Sequence, residues 1–203
     1  MTEDRDEDGE ADGGKPSLAD QRDVEQVYQP AEDSKLLADA VVERVDPGDR
    51  ALDVGTGSGY VAARMRDAGA DVVGADLNPH ACRQAADRGI PTVRADLVEP
   101  FHDDAFDVVT FNPPYLPTEP EREWDDWMER ALSGGDDGRA AIDPFLDDVA
   151  RVLAPGGTAY LLVSSLTDPE AVRERAAKNG LSNEALANES HPFETLLVVA
   201  FRT

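Results

Sequence analysis

Cysteine, lysine and histidine are scarce in this sequence. The single cysteine, Cys82, excludes an internal disulfide and offers no spacing that a metal site would need. We interpret Cys82 as a small buried residue on a helix. The histidines, His80, His102 and His191, are scattered along the chain. The sequence therefore predicts no metal site.

Long apolar runs are also missing, and none approaches the ~20 residues that a membrane-spanning helix needs. The N-terminus is acidic, whereas a signal peptide begins with a basic segment and continues with an apolar one. We therefore expect a cytoplasmic protein without a membrane partner.

Positive charge is the largest deficit. Lys and Arg number 19 against 43 Asp and Glu, so the formal net charge is −24 at pH 7. This balance is typical of an extreme halophile, because a dense carboxylate shell holds water and cations in brine. No basic stripe is visible, which argues against nucleic acid as the main partner. Molar salt screens charges within ~3 Å, so the lack of a basic stripe is only a weak argument against a nucleic-acid partner.

The pattern along the chain predicts two parts. Residues 1–20 are acidic and almost free of apolar side chains, which predicts a disordered tail. Residues 21–203 predict one domain in which strands and helices alternate, as in an α/β fold with a doubly wound sheet. The predicted strands are 50–54, 71–75, 91–95, 106–111, 158–164, 181–186 and 194–202, and the predicted helices end near 45, 68, 88, 153 and 179.

A glycine-rich turn follows the first predicted strand. Gly55, Gly57 and Gly59 alternate with Thr56 and Ser58 before a helix begins. Glycines at such a turn let the backbone approach a ligand at the helix N-terminus. The turn is not a P-loop, because no Gly-Lys-Ser/Thr follows, and its third glycine is spaced differently from the dinucleotide fingerprint. Alone, it indicates only a nucleotide-like cofactor.

Acidic residues mark the ends of the first three predicted strands. Asp76 lies where a carboxylate would accept the ribose hydroxyls of a cofactor. Asp96, one strand further out, could accept from the amino group of an adenine. Each acid, including Asp53, could instead merely cap a helix. Together with the glycines they favour S-adenosylmethionine, which has an amino-acid moiety and no pyrophosphate, with S-adenosylhomocysteine as the product.

The fourth predicted strand runs into Asn112-Pro113-Pro114-Tyr115. Two prolines fix φ and remove two backbone donors, and the first confines Asn112 to an extended conformation. An amide side chain and several carbonyls are thus held at a strand end with few competing N–H groups. This arrangement is an acceptor-rich cradle for an NH₂ group, although these residues alone would also suit an ordinary proline-rich turn.

These features together resemble a class I S-adenosylmethionine-dependent methyltransferase. The stretches that carry the resemblance are Leu52-Asp53-Val54-Gly55-Thr56-Gly57-Ser58-Gly59, Asp76, Asp96-Leu97 and Asn112-Pro113-Pro114-Tyr115. The last is shared by enzymes that methylate adenine amino groups and glutamine amides. Tyr28-Gln29-Pro30-Ala31-Glu32-Asp33-Ser34, and Ala131–Gly138 with Arg139 and Asp143, resemble the short HemK-type protein-(glutamine-N5) methyltransferases of archaea and eukaryotes. Gln29 replaces a Glu of the eukaryotic members.

The resemblance implies a seven-stranded, mostly parallel sheet whose last strand is antiparallel. It also implies methylation of the Gly-Gly-Gln glutamine of class I translation release factors. A small zinc-binding activator protein is implied as heterodimer partner, and the edge strand residues Thr92, Val93 and Arg94 are our candidates for its docking. A solvated edge protected by Arg94 is the alternative.

The resemblance also assigns site residues. The expected cofactor-binding residues are Tyr28, Ser34, Asp53, Gly55, Gly57, Gly59, Asp76, Asp96, Leu97 and Asn112, and the expected catalytic residues are Asn112, Pro113, Pro114 and Tyr115. The Asn112 oxygen and the Pro113 carbonyl would accept both N–H bonds of the substrate amide, and Tyr115 would pack on its plane. Trp124 and Trp127 either line the substrate mouth or pack the loop.

Three other functions are compatible with these motifs. An adenine-N6 methyltransferase acting on RNA or DNA would use the same Asn-Pro-Pro-Tyr chemistry, but no target-recognition domain or basic face is present. Relatives in eukaryotes also methylate lysine. A non-catalytic S-adenosylmethionine-binding scaffold is disfavoured by the intact Asn112.

The charge balance makes salt dependence testable. At ~10 mM salt the screening length grows to roughly 30 Å, so repulsion between the carboxylates should destabilise the fold. We expect the protein to unfold or to lose activity on dialysis out of molar salt. Circular dichroism during heating measures its melting temperature at the two salt concentrations. A melting temperature that is the same at both salt concentrations would contradict the halophilic interpretation.

Overall fold

The structure is a computed structural model that describes residues 26–118 and 127–203. The predicted tail at residues 1–20 and Trp124 lie outside the described residues. No helix within the described ranges is long and apolar enough to cross a membrane. The described helices are α1 (Glu32–Val42), α2 (Tyr60–Asp67), α3 (Pro79–Asp87), α4 (Trp127–Arg130), α5 (Ile142–Val152) and α6 (Pro169–Lys178). The strands are β1 (Arg50–Val54), β2 (Asp71–Asp76), β3 (Thr92–Arg94), β4 (Phe106–Phe111), β5 (Leu153–Ser164), β6 (Ser182–Ser190) and β7 (Thr195–Arg202).

The strands form one seven-stranded sheet in the order β3-β2-β1-β4-β5-β7-β6. The first five strands pair in parallel, and β7 is antiparallel to both β5 and β6. This confirms the predicted sheet and the predicted position of the third strand at an edge. The order in which strands are added to the sheet reverses between β1 and β4. Ligands of doubly wound folds bind in the crevice at such a point.

Two strands extend several residues beyond their predicted bounds. β5 begins at Leu153 because this residue pairs with Phe106, after which the register shifts and Thr158 pairs with Val108. Residues 155–157, which lie between the predicted helix end near 153 and the predicted strand 158–164, are therefore inside the strand. β6 continues to Ser190 because its partner β7 is available along its whole length. In both cases the pairing partner decides the length.

The sheet has a hydrophobic layer on each face. Successive side chains of a strand point to opposite faces, so Leu161 packs with α5 while Leu162 packs in the other layer with α1 and α2. Behind the end of β4, the rings of Phe111 and Phe145 lie 4.9 Å apart. This contact stabilises the end of β4, which directly precedes Asn112 at the crevice.

Candidate active site

The crevice between β1 and β4 holds a cavity of about 250 Å³. Its wall brings together the acids at or near the carboxyl ends of three neighbouring strands, because the carboxyl ends of parallel strands meet at one edge of the sheet. Ten of the predicted site residues lie on this wall: Tyr28, Ser34, Asp53, Gly55, Gly57, Asp76, Asp96, Leu97, Asn112 and Pro114. The structure places Gly59, Pro113 and Tyr115 outside it.

The glycine-rich turn uses left-handed backbone at each glycine, with φ of 60° at Gly55, 53° at Gly57 and 77° at Gly59. Gly59 is the N-cap of α2, and a Cβ at this position would lie 3.0 Å from the Cβ of Ala85 on α3. Its lack of a side chain therefore serves the packing of α2 against α3. The other two glycines present backbone to the cavity.

Asp53 is buried and lies at the centre of the turn. One carboxylate oxygen accepts from the Thr110 hydroxyl at 2.7 Å, and the other accepts from the Thr56 hydroxyl at 2.8 Å and the Ala62 amide at 3.2 Å. Burial raises the pKa of Asp53 to about 6, against the opposing effect of these hydrogen bonds. Since protein donors occupy both oxygens, Asp53 holds the turn in place from behind.

Asp76 and Asp96 both line the cavity, but their carboxylates lie in different environments. Asp76 accepts from the Gly57 amide at 2.9 Å and the Asn78 amide at 2.8 Å, and burial raises its pKa despite these donors. Asp96 is exposed. The next residue, Leu97, has a left-handed φ of 47°, an unusual conformation for a branched side chain that is found where structure outside the residue imposes it. It turns the chain at the cavity wall.

A segment before α1 closes one side of the cavity. Val27, Tyr28 and Pro30 contribute to the wall. The carbonyl of Gln26 accepts from the Asn78 side chain at 2.8 Å, which ties this segment to the loop after β2. The wall is thus completed by residues that lie far from the glycine-rich turn in sequence.

Asn112 presents an unused acceptor. Its Nδ2 donates to Oδ2 of Asp33 at 3.1 Å and to Oγ of Ser34 at 3.3 Å. Its Oδ1 is shielded from solvent and has no hydrogen-bond partner among the described residues. A buried acceptor without a donor costs about 1–3 kcal/mol. Such a cost is recovered when a ligand supplies the N–H group.

Asp33 is a site residue that sequence reasoning did not single out, although it lies within the stretch that resembles the family. It is 5% exposed and accepts from the Ser34 amide at 2.6 Å and the Tyr28 hydroxyl at 3.2 Å. The adjacent Glu32 is exposed. Two neighbouring acids in the first turn of a helix give no sequence signal of which one will point inward.

The two site tyrosines are neutral phenols. Burial, with Asp33 and Glu194 nearby, raises the pKa of Tyr28 and of Tyr115 far above the ordinary value. Tyr115 packs partly buried against the hydrophobic layer that contains α1. Neither hydroxyl can therefore serve as a base near neutral pH.

Residues 127–138 also lie at the site. α4 places Trp127 and Arg130 on the cavity wall, with the guanidinium carbon 5.4 Å from the indole centroid. Gly138 passes so close to Tyr115 that a Cβ there would lie 2.6 Å from the Tyr115 carbonyl oxygen. Trp127 thus lines the cavity, consistent with one of the two roles considered for it.

The chemistry of this wall suits S-adenosylmethionine. Carboxylates can accept from ribose hydroxyls and an amino group, and glycine backbone allows close approach. Arg130 is the only arginine or lysine among the described lining residues. These lining residues therefore include no cluster of cations that would bind a pyrophosphate. The sheet order, the glycine-rich turn and these acids define a class I S-adenosylmethionine-dependent methyltransferase.

Comparison with known proteins gives the family. Residues 52–113 match the family described as Methyltransferase domain. A Methanocaldococcus jannaschii protein named as a protein N5-glutamine methyltransferase is 36% identical over 181 residues, covering 86% of this chain and 90% of its own. Human methyltransferase HEMK2 is 31% identical over 194 residues, covering 86% and 89%. The chain belongs to this family of protein N5-glutamine methyltransferases.

A solved structure agrees with this assignment. The E. cuniculi Mtq2–Trm112 complex, described as responsible for methylation of the translation termination factor eRF1, contains a chain 32% identical to this one. The TM-score is 0.74, over 88% of this chain and 99% of that chain. Fold and sequence therefore indicate the same family.

The buried Asp53 makes stability depend on pH. Its pKa is 3.8 when unperturbed and about 6 in the folded chain, so between these values the folded chain keeps a proton that the unfolded chain has released. Stability from this group is complete below the lower value and is lost as pH rises through the higher one. At 1.36 kcal/mol per unit, wild type should lose about 3 kcal/mol relative to Asp53→Asn.

Urea unfolding of both proteins at constant high salt, from about pH 3 to about pH 7, measures this difference. The asparagine does not titrate, and the carboxylates that do not interact with Asp53 cancel between the two proteins. A difference that stays constant with pH would contradict the assignment.

Proposed function

We propose that this enzyme transfers the methyl group of S-adenosylmethionine to the side-chain nitrogen of the glutamine in the Gly-Gly-Gln motif of a class I release factor. The unpartnered Oδ1 of Asn112 on the cavity wall carries the proposal. Relatives support it: the E. cuniculi complex methylates eRF1, and a Gloeobacter violaceus relative, 32% identical over 165 residues, is named release factor glutamine methyltransferase. The match covers 72% of this chain and 57% of the Gloeobacter protein.

The cofactor supplies an electrophilic methyl group on a sulfonium. We assign Asp76 to its ribose hydroxyls, Asp96 to its adenine amino group, and Leu97 to the wall beside the adenine. Gly55 and Gly57 would let the backbone approach it. Tyr28 and Ser34 complete the wall, and Asp53 would act through the turn that it holds.

The substrate amide is a poor nucleophile because its nitrogen lone pair is delocalised. Oδ1 of Asn112 and the carbonyl of Pro113 would accept its two N–H bonds, which draws electron density onto nitrogen and orients the lone pair. Pro113 and Pro114 have no N–H groups that would compete for these acceptors. The site then works by positioning and electrostatics, and the methylated nitrogen releases one proton to water. Tyr115, a neutral phenol, would pack on the amide plane.

The same acceptors would suit an adenine amino group, so the acceptor must be identified directly. Labelled cofactor, activator and enzyme are incubated in high salt with release factor, with total RNA, or with release factor whose motif glutamine is replaced by alanine. We expect label only in the unmodified release factor. Label in RNA instead would overturn the proposed substrate.

Asn112→Ala tests the cradle itself. Because the variant removes an acceptor that the substrate requires, we expect methylation to fall by at least ~10²-fold. Affinity for the cofactor, measured by calorimetry, should stay nearly intact. Asp76→Ala provides the reverse pattern, with weakened cofactor affinity. Turnover like that of wild type in Asn112→Ala would refute the catalytic assignment.

The proposal extends to a small zinc-binding activator that docks on β3. The E. cuniculi relative forms a complex with Trm112. β3 is an edge strand of three residues, Thr92–Arg94, where Val93 is 39% exposed and Leu77 is 43% exposed nearby. The Nε of Arg94 donates to the Leu77 carbonyl at 3.1 Å, which joins the two segments into one surface. An unpaired strand edge with apolar side chains suits addition of a partner's strand.

Val93→Asp should weaken activator binding about tenfold or more, since it places a charge in an apolar interface core. Co-elution on size exclusion in high salt measures the effect. Phe193→Asp is the matched control, because Phe193 is 93% exposed and lies beside β6 and β7 at the opposite end of the sheet. Loss of binding in the control alone would place the activator elsewhere.

A further inference from the structure

An asparagine at a catalytic position has an orientation problem. The two ends of its amide have nearly the same shape, but one accepts hydrogen bonds and the other donates them. If the amide of Asn112 were rotated by a half turn, an NH₂ group would face the substrate NH₂. The proposed function therefore needs a second group that distinguishes the two orientations.

Two neighbours contact the donor end of Asn112. Ser34 Oγ, at 3.3 Å from Nδ2, can either donate or accept, so it fits both orientations. Asp33 Oδ2, at 3.1 Å, can only accept when the carboxylate is ionised. Rotating the amide would place two oxygens against each other in a buried site, where repulsion is poorly screened. Asp33 alone selects the orientation that exposes Oδ1.

Asp33 is itself fixed in place. Its Oδ1 accepts from the Ser34 amide at 2.6 Å and the Ser34 hydroxyl at 3.3 Å, and its Oδ2 also accepts from the Tyr28 hydroxyl at 3.2 Å. It lies in the first turn of α1, where the helix dipole favours negative charge. No ion pair to Asp33 occurs within residues 26–118 and 127–203. Its partners are all donors, so rotation of the carboxylate would not change what it offers Asn112.

We propose that Asp33 is the positioning residue of this active site, and that it acts by locking the Asn112 amide with Oδ1 toward the substrate. Asn112 and Ser34 lie on the cavity wall, whereas Asp33 is not among the lining residues. Asp33 therefore acts only through the residues that it holds, among which Asn112 carries the unpartnered acceptor, and not through direct contact with the methyl donor. The inference rests on the role proposed for Asn112.

Asp33→Asn tests the lock with little change of shape. The new amide brings N–H groups against neighbours that are themselves donors, so one of these neighbours loses its acceptor. Nothing then favours the orientation of the Asn112 amide that exposes Oδ1. We expect kcat to fall about 10²-fold, the scale of a misplaced catalytic group, with cofactor affinity within a fewfold of wild type. Asp39→Asn is the matched control on the same helix. It removes a surface ion pair with Arg64 at 2.8 Å and should leave kcat unchanged.

A double-mutant cycle separates positioning from a structural role. If Asp33 acts through Asn112, Asp33→Asn should lower the residual turnover of Asn112→Ala by less than twofold. A structural role predicts the same fold-loss in both backgrounds and would overturn the proposal, as would an active Asp33→Asn. If wild type labels RNA and not release factor, the proposed function fails, but the cycle still applies because an adenine amino group needs the same acceptor.

If Asp33→Asn does not fold, a measurement on wild type still tests the proposal. The side-chain NH₂ signals of Asn112 are assigned by their absence from the spectrum of Asn112→Ala. A hydrogen bond to a carboxylate should separate the two proton shifts and slow their exchange with water. Overlapping shifts and exchange as fast as that of an exposed asparagine would contradict the lock.

Discussion

The buried carboxylate of Asp53 connects the parts on which the site depends. Through Thr110 it reaches β4, through Thr56 the glycine-rich turn, and through the Ala62 amide the first turn of α2. β4 continues directly into Asn112. One side chain therefore sets the distance between the turn that we assign to the methyl donor and the strand end that we assign to its acceptor, while burial raises its pKa to about 6.

The acids of this protein differ by environment rather than by residue type. The net charge is −24, and most carboxylates within residues 26–118 and 127–203 face solvent. Asp33 and Asp53 are instead 5% and 2% exposed and surrounded by donors. Burying a carboxylate is costly unless hydrogen bonds compensate. In a chain so rich in acid, the network of donors around a carboxylate distinguishes the structural and functional acids from those that hold water and salt.

Local sequence predicted much of the fold because glycine turns and strand-end acids are local signals. β1 and β4 have their predicted bounds, and the three acids meet at one edge because the strands are parallel. The start of β5 depended on pairing of Leu153 with Phe106, which no local pattern reports. Likewise, Asp33 and Asn112 are 79 residues apart. The sequence motif singles out Asn112 but not Asp33, and only the packing of α1 on the sheet shows that the two residues touch.

The position of α1 also affects how the protein is made. The helix that carries Asp33 is near the start of the chain, yet it packs on β5, β6 and β7, which are near the end. A ribosome makes β5, β6 and β7 after α1, so α1 has no complete surface to dock on until these strands have been made. During synthesis the amide of Asn112 is therefore without its final orientation. The oriented amide is therefore a product of tertiary folding, because it forms only when α1 has docked on the paired strands β5, β6 and β7.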